Sequence, residues 1–200
     1  MCELRKQKKD IRVEQIERRR NILPEKRELW DKKIANILLG SISYRFCDIM
    51  LIYVSTKIET STSFIIERAL ENKKNVACPI SNIEDNTLSF KIINSAEELS
   101  PGSYDILEPP GTNIDFNDFA VSGAFKRPPL VICVVPCLSY DSDGYRIGYG
   151  KGYYDRFLAS FGGTKIGLCY SEFKVNSLPK SKYDVKLDVI ITEKGVTVVK

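Results

Sequence analysis

A strand-length apolar run that leads into a glycine-rich turn constrains this 200-residue chain more than any other stretch. The run, Leu130–Val135, has the length and composition of a strand that is buried on both faces. After the turn signal Asp143-Gly144 comes the sequence Gly-Tyr-Arg-Ile-Gly-Tyr-Gly-Lys-Gly-Tyr-Tyr-Asp-Arg, residues 144–156, which we call the glycine-rich loop. A helix is predicted over 153–161, so the chain must place this loop between a buried strand and a helix.

The glycine-rich loop has the composition of a phosphate-binding site. Its alternating glycines are Gly148, Gly150 and Gly152. Such glycines let the backbone approach a ligand, and successive N–H groups then form a concavity that binds anions. Arg146 and Lys151 add positive charge, and the predicted helix start adds the positive end of its dipole. The loop lacks the glycine spacing of Walker and dinucleotide-binding loops, and it ends in a carboxylate, Asp155, that could hold a metal ion.

Alternating strands and helices predict the class of fold. Ile49–Val54 is a buried strand, a helix follows over 62–73, and Asn75–Ile80 is the next strand, which together make a βαβ crossover. Further strands are predicted over 88–93, 165–169, 189–192 and 196–199, further helices over 3–20 and 24–39, and a loop over 111–128. We therefore expect one Rossmann-like α/β domain over residues 1–200, with three α/β/α layers and a mostly parallel, mixed sheet.

Composition excludes several kinds of chemistry. The chain has no histidine, which excludes Ser-His-Asp, Cys-His and histidine-metal sites. Its six cysteines lie mostly in apolar runs without CxxC spacing, which favours buried free thiols in a reducing compartment. No window has about 18 apolar residues, and the N-terminus lacks the apolar core of a signal peptide, so we expect a cytoplasmic protein without membrane contact. The net charge of +4 is too small to indicate nucleic-acid binding.

The glycine-rich loop closely resembles the signature of the 5-formyltetrahydrofolate cyclo-ligases, also called 5,10-methenyltetrahydrofolate synthetases. Other segments are similar to the same family. They are Lys8-Lys-Asp-Ile-Arg12, with Ile11 in place of the usual leucine, Glu59-Thr-Ser-Thr62, Ile106-Leu-Glu-Pro-Pro110, and the closing residues Leu178-Pro179, Asp184 and Leu187-Asp188. The resemblance implies that ATP and Mg²⁺ drive the conversion of 5-formyltetrahydrofolate to 5,10-methenyltetrahydrofolate, with release of ADP and phosphate.

The resemblance also implies a set of site residues. ATP would contact Lys8, Lys9, Arg12, Arg146, Gly148, Gly150, Lys151, Gly152, Tyr153 and Tyr154. The folate would contact Val54, Glu59, Tyr149, Gly150, Lys151, Gly152 and Tyr153. Lys151, Arg146 and Tyr153 would be catalytic, and Asp155 and Asp188 would hold Mg²⁺. Lys8 and Arg12 are four residues apart, so a helix would place both on one face toward one phosphate chain.

Other interpretations remain open at this point. By residue type alone, Glu59 is a solvated loop residue, Asp188 a turn residue, Tyr154 a packing residue, and the helix over 3–20 a solvated basic helix. A non-catalytic paralogue that binds nucleotide or folate is a second hypothesis. A nucleic-acid module is a third, suggested by Arg18-Arg19-Arg20, although no continuous basic stripe supports it. We expect small-molecule partners, no nucleic acid, and a monomer.

Overall fold

The computed structural model describes residues 2–199. The helices are α1 (Cys2–Arg20), α2 (Pro24–Gly40), α3 (Ile42–Phe46), α4 (Ser63–Glu71), α5 (Phe116–Val121) and α6 (Tyr153–Leu158). The longer strands are β1 (Ile49–Ile52), β2 (Asn75–Asn82), β3 (Thr87–Ile93), β6 (Val131–Pro136), β9 (Thr164–Leu168), β10 (Val189–Thr192) and β11 (Gly195–Val198). The two-residue strands are β4 (Ser100–Pro101), β5 (Leu107–Glu108), β7 (Ser139–Tyr140) and β8 (Arg146–Ile147).

The longer strands form one seven-stranded sheet in the order β11-β10-β9-β6-β1-β2-β3. Strand β1 pairs in parallel with β2 and β6, and β9 pairs in parallel with β6 and β10. The edge strands β3 and β11 are antiparallel to their neighbours. This confirms the predicted α/β class with a mostly parallel, mixed sheet. The predicted loop over 111–128 is interrupted by α5, whose first turn is capped by the Asp115 side chain.

The order of the strands decides where a ligand can bind. Strand β1 leads through α4 to β2 on one side, whereas β6 pairs with its other side. The loops that leave the carboxyl ends of β1 and β6 therefore lie next to each other at the edge where the chain reverses its direction of winding. In open α/β sheets the crevice at such a point is the usual ligand site. The loop after β1 contains Glu59, and the segment after β6 contains the glycine-rich loop.

A buried arginine attaches α1 to this edge of the sheet. Arg19 is fully buried, and its guanidinium donates hydrogen bonds to the carbonyls of Leu138, Ile58 and Cys137 at 3.2, 3.1 and 2.7 Å. The guanidinium also lies 4.4 Å from the ring centroid of Phe173. The interpretation of residues 3–20 as a fully solvated basic helix is therefore wrong for Arg19. One member of the Arg18-Arg19-Arg20 run is a core residue, which weakens the nucleic-acid hypothesis that this run suggested.

Among the helices within residues 2–199, none combines the length and the apolar character that crossing a bilayer requires. The described cysteines, at 47, 78, 133, 137 and 169, are buried free thiols, in agreement with the prediction for these five positions. Burial also raises the pKa of the Cys47 and Cys169 thiols to about 11. These thiols are therefore core residues in the protonated form.

Candidate active site

A cavity of about 990 Å³ lies at the edge of the sheet where the loops after β1 and β6 meet α1. The predicted site residues that line it are Lys8, Lys9, Arg12, Val54, Glu59, Arg146, Gly148, Tyr149, Gly150, Lys151, Gly152, Tyr153, Tyr154 and Asp155. Asp188 is not among its lining residues within the described chain. The cavity thus brings together segments that are more than 130 residues apart in sequence.

A buried aspartate shapes the beginning of the glycine-rich loop. Asp141 is 1% exposed, and its carboxylate accepts hydrogen bonds from the backbone N–H groups of Asp143, Tyr145 and Leu178 at 3.0 to 3.1 Å. These bonds close the turn between β7 and β8 and join it to the C-terminal part of the chain. We did not select Asp141 from the sequence. The Asp-x-Asp-Gly spacing before the loop is a signal for this kind of aspartate-closed turn.

Three of the loop glycines have positive φ values that require glycine, and the first of them is Gly144 at +86°. Gly150 and Gly152 have φ values of +94° and +76°, which L-residues with a side chain rarely adopt. A Cβ atom on Gly150 would also lie 2.6 Å from the guanidinium of Arg12. Arg12 Nε donates to the Gly148 carbonyl at 2.8 Å, so α1 delivers a cation directly to the loop. The close approach that the alternating glycines predicted is therefore present, and Arg12 is the partner.

The predicted cationic side chains differ in the ion pairs and hydrogen bonds that they make within the protein. Arg146 has a side chain that is 5% exposed, donates to the Val185 carbonyl at 2.9 Å and pairs with Asp155 at 3.2 Å. Lys8 Nζ donates to Asp184 Oδ1 at 2.7 Å. Lys151, in contrast, is exposed at the cavity and enters none of the ion pairs found within residues 2–199. Lys9 is likewise exposed at the cavity and absent from those ion pairs, so both ammonium groups are available to a ligand.

The structure separates the two aspartates of the closing element. Asp188 accepts hydrogen bonds from the backbone N–H of Lys165 at 2.7 Å and pairs with Lys165 Nζ at 3.0 Å, which fixes it beside β9 and away from the cavity. Asp184 lines the cavity instead, and the backbone N–H of the next residue, Val185, donates to Asp155 Oδ1 at 3.1 Å. Among the described residues, Asp184 therefore lines the cavity and Asp188 does not, while the metal role of Asp188 stays a prediction.

The donor set at the cavity fits a magnesium ion that is bound mainly by its substrate. Within residues 2–199 no cluster of three or more His, Cys, Asp or Glu side chains could hold a metal on its own. Mg²⁺ commonly uses one or two carboxylates and takes its other oxygen ligands from phosphates and water. Asp155 and Asp184 supply two carboxylates at the cavity. These residues therefore fit Mg²⁺ that arrives with a nucleotide.

Glu59 is a buried carboxylate among the residues that line the cavity. Glu59 is 6% exposed, and its carboxylate accepts a hydrogen bond from the Thr56 N–H at 2.7 Å. Burial raises the pKa of Glu59, while the Thr56 hydrogen bond and the charge of Arg19 oppose this shift. The hydroxyl groups of Thr56 and Tyr149 lie 3.2 Å apart, so the loop after β1 contacts the glycine-rich loop. The interpretation of Glu59 as a solvated residue is therefore wrong.

Aromatic side chains complete the cavity. The hydroxyl of Tyr153 lies 3.2 Å from that of Tyr104, a lining residue that we did not select from the sequence. Tyr104 has a φ of +58°, which is unusual for a residue with a side chain. Tyr154 lies with its ring 6.5 Å from Phe90, and its buried hydroxyl has no hydrogen-bond partner within residues 2–199. Tyr153 and Tyr104 thus border the cavity as a pair, whereas Tyr154 packs into the core.

Comparisons with known proteins identify the family of this chain. The sequence model of the 5-formyltetrahydrofolate cyclo-ligase family matches residues 4–193. A probable 5-formyltetrahydrofolate cyclo-ligase of Caenorhabditis elegans is 30% identical over 157 residues, covering 74% of this chain and 73% of that protein. The solved 5,10-methenyltetrahydrofolate synthetase of Aquifex aeolicus is similar with a TM-score of 0.79 at 28% identity, covering 96% of this chain and 93% of that one.

A second solved structure shows the same fold. The 5,10-methenyltetrahydrofolate synthetase of Mycoplasma pneumoniae has a TM-score of 0.70 at 23% identity, covering 93% of this chain and 98% of that one. The family match extends over nearly the whole described chain, and it includes the glycine-rich loop and the Glu59 segment. The chain therefore belongs to the 5-formyltetrahydrofolate cyclo-ligase family and is a ligase.

Proposed function

We propose that this protein uses ATP and Mg²⁺ to convert 5-formyltetrahydrofolate to 5,10-methenyltetrahydrofolate, releasing ADP and phosphate. The observation that carries the proposal is that Glu59, the glycine-rich loop, Arg12 and Lys151 line one cavity together. A volume of about 990 Å³ is at the upper end of the usual range for ligand pockets. It suits a site that must hold a folate and a nucleotide together.

The chemistry explains why a nucleotide is needed. A formamide is a poor electrophile, and closing the ring directly would expel its oxygen as hydroxide or oxide. Transfer of the γ-phosphoryl group from ATP to the formyl oxygen breaks the bond to ADP and forms a new P–O bond. Nitrogen 10 of the folate then attacks the formyl carbon and loses its proton, and the C–O bond breaks to release phosphate, which takes up that proton. The protein must therefore position two substrates and neutralise the charge that moves during phosphoryl transfer.

The glycine-rich loop and α1 form the phosphate side of the proposed site. Backbone N–H groups between Gly148 and Gly152 would bind phosphate oxygens, while Lys151, Lys8, Lys9 and Arg12 neutralise the triphosphate. The pairing of Arg146 with Asp155 and Val185 gives Arg146 a second role, because it fixes the Asp155 carboxylate at the cavity. Mg²⁺, when bound, would neutralise charge on the phosphates, and Asp155 and Asp184 are the residues that would hold it.

The two aspartates of the closing element should respond differently to substitution. We expect Asp184→Asn to raise the Mg²⁺ concentration for half-maximal activity by about tenfold, because a neutral amide is a weaker ligand for a hard cation. Asp188→Asn should leave this concentration unchanged within about twofold, since Asp188 is not among the described residues that line the cavity. Turnover measured across a Mg²⁺ titration checks both variants. A shift in Asp188→Asn without one in Asp184→Asn would restore the original assignment.

Glu59 and the residues around it form the proposed folate side. The adjacent N–H groups of a pterin ring can both donate to one carboxylate, which is the role we assign to Glu59. Val54 also lines the cavity, as do Tyr149 and Tyr153 of the glycine-rich loop, and Tyr153 meets Tyr104 there. Burial raises the pKa of Tyr149 to about 12, so its phenol is neutral near pH 7 and can donate a hydrogen bond. Tyr154 would act by packing beneath the loop.

Folate binding should depend on the protonation of Glu59. Burial raises the pKa of this carboxyl group, and only the ionised form accepts two N–H groups. As the pH falls through this raised pKa, we expect the KM for 5-formyltetrahydrofolate to rise by about tenfold per pH unit, while the KM for ATP changes little. Glu59→Gln should have a KM for 5-formyltetrahydrofolate that is about 10- to 100-fold higher near pH 8 and does not change toward lower pH.

Steady-state kinetics between pH 5 and 8 measure these KM values, with enzyme-free samples to subtract acid-catalysed cyclisation. An acid limb that persists in Glu59→Gln would assign the titration to another group.

Absorbance of the methenyl product tests the whole proposal. Purified protein is mixed with 5-formyltetrahydrofolate in the presence and absence of ATP and Mg²⁺. We expect product only when both are present. Binding of ATP and folate by calorimetry without product would favour the non-catalytic paralogue. A cytoplasmic location and a monomeric state remain predictions beside this proposal.

A further inference from the structure

Arg156, the last residue of the glycine-rich loop, bridges two separate segments of the chain. Its Nε donates to the Asn86 carbonyl at 2.8 Å, and its Nη2 donates to the Lys151 carbonyl at 2.6 Å. Asn86 lies in the turn between β2 and β3, and it has a φ of +55°. The guanidinium also lies 6.0 Å from the ring centroid of Tyr153. One side chain thus connects the loop to the antiparallel edge of the main sheet.

Arg156 does not line the cavity among the residues described, so it does not act by touching the substrates. It contacts instead the backbone of Lys151, the residue to which we assign the transferring phosphoryl group. Lys151 is flanked by Gly150 and Gly152, both with positive φ and with no side chain to pack. Glycine on both sides gives the backbone of Lys151 unusual freedom. The hydrogen bond from Arg156 to the Lys151 carbonyl restrains the backbone at this residue.

The bridge needs the geometry of an arginine. A guanidinium has several N–H donors in a rigid, planar fork and can serve two acceptors in fixed directions. A lysine at the same position has the same charge on a single flexible ammonium. The guanidinium also packs against the loop, since a Cβ atom on Gly152 would lie 3.0 Å from Arg156 Nη1. Two carbonyls from two segments and close packing on a third residue define a specific contact.

We propose that Arg156 is a positioning residue, which holds Lys151 in place for phosphoryl transfer by tying the glycine-rich loop to the β2–β3 turn. The inference rests on the proposed function of Lys151. Arg156 acts by fixing the position of the Lys151 backbone, so a positive charge at residue 156 is not sufficient for this role. Loss of the bridge should slow the phosphoryl-transfer step more than it weakens folate binding, because Glu59 does not take part in the contacts of Arg156.

Two substitutions separate geometry from charge. Arg156→Lys keeps the charge and loses the fork, whereas Arg156→Gln loses both. We expect turnover to fall by about tenfold in both variants, because small displacements of a catalytic group are costly, with the KM for folate unchanged within about twofold. Arg68→Lys is the matched control, since Arg68 is a surface arginine of α4 that pairs with Glu71. Normal turnover in Arg156→Lys with slow turnover in Arg156→Gln would show that charge suffices, which overturns the bridge.

Hydrogen exchange tests the same contact without relying on the reaction. In both Arg156 variants the backbone amides of residues 148–153 should exchange faster than in the wild type, with no change in Arg68→Lys. Unchanged exchange in these amides, or normal turnover in both Arg156 variants, would overturn the inference. If the wild type forms no methenyl product, the proposed function fails, and the exchange experiment still decides whether Arg156 restrains the loop.

Discussion

Lys151→Ala is expected to lower turnover by at least about 10²-fold. Lys151 is exposed at the cavity, lies between two glycines of the loop, and enters none of the ion pairs found within residues 2–199. A preorganised donor at a centre where charge develops is commonly worth 10²- to 10³-fold in rate. The loss should appear in turnover more than in the KM for folate, because we assign folate binding mainly to Glu59. Formation of the methenyl product, followed by absorbance at saturating ATP, measures the effect.

A matched surface lysine separates this effect from a change in net charge. Lys126 is exposed and is not among the described residues that line the cavity, so Lys126→Ala removes the same charge elsewhere. We expect Lys126→Ala to turn over at the wild-type rate. If Lys151→Ala were also to retain normal turnover while folded, Lys151 would have no role in the reaction. The phosphate side of the site would then rest on Arg12 and the backbone N–H groups.

Arg19→Met is expected to destabilise the protein by about 3 kcal/mol or more. Methionine has a similar length but no donors, so the carbonyls of Leu138, Ile58 and Cys137 would be left in the core without their partner. Each buried polar group that loses its partner costs about 1–3 kcal/mol. This case differs from replacing both members of a buried ion pair, which can be neutral, because these carbonyls cannot be removed along with the arginine. Urea unfolding followed by circular dichroism measures the free energy of unfolding.

The neighbouring arginine is the control for this measurement. The Arg20 side chain is 64% exposed and pairs only with Glu17 on the surface of the same helix. Arg20→Met should change the free energy of unfolding by less than about 0.5 kcal/mol. Equal effects of the two substitutions would mean that the buried contacts of Arg19 add nothing to stability. Because α1 also carries Lys8 and Arg12, partial detachment of α1 in Arg19→Met should weaken ATP binding as well.

Much of the site could be predicted because it lies in short, continuous segments. The glycine-rich loop carries its glycines, cations and carboxylate within thirteen residues, so spacing alone indicated a phosphate site. Glu59 required the family resemblance, since a glutamate in a loop is by itself more often solvated. Tyr104 gave no comparable signal, because it reaches the cavity through a turn with a positive φ and meets Tyr153 from 49 residues away.

Local sequence patterns were enough to predict the seven longer strands, the helices α1, α2, α4 and α6, the parallel βαβ unit, and the glycine-rich loop after a buried strand. They did not predict α3, α5 or the two-residue strands. The predicted features follow from local periodicity and from glycine chemistry, which neighbouring residues set among themselves. Only the tertiary structure decided that Asp184 and not Asp188 lies at the cavity, and that Arg19 and not Arg18 or Arg20 is a core residue. Each of these choices depends on which partner the folded chain brings close: Lys165 for Asp188, and three buried carbonyls for Arg19. Burial and pairing across the chain are properties of packing, which the local pattern does not contain.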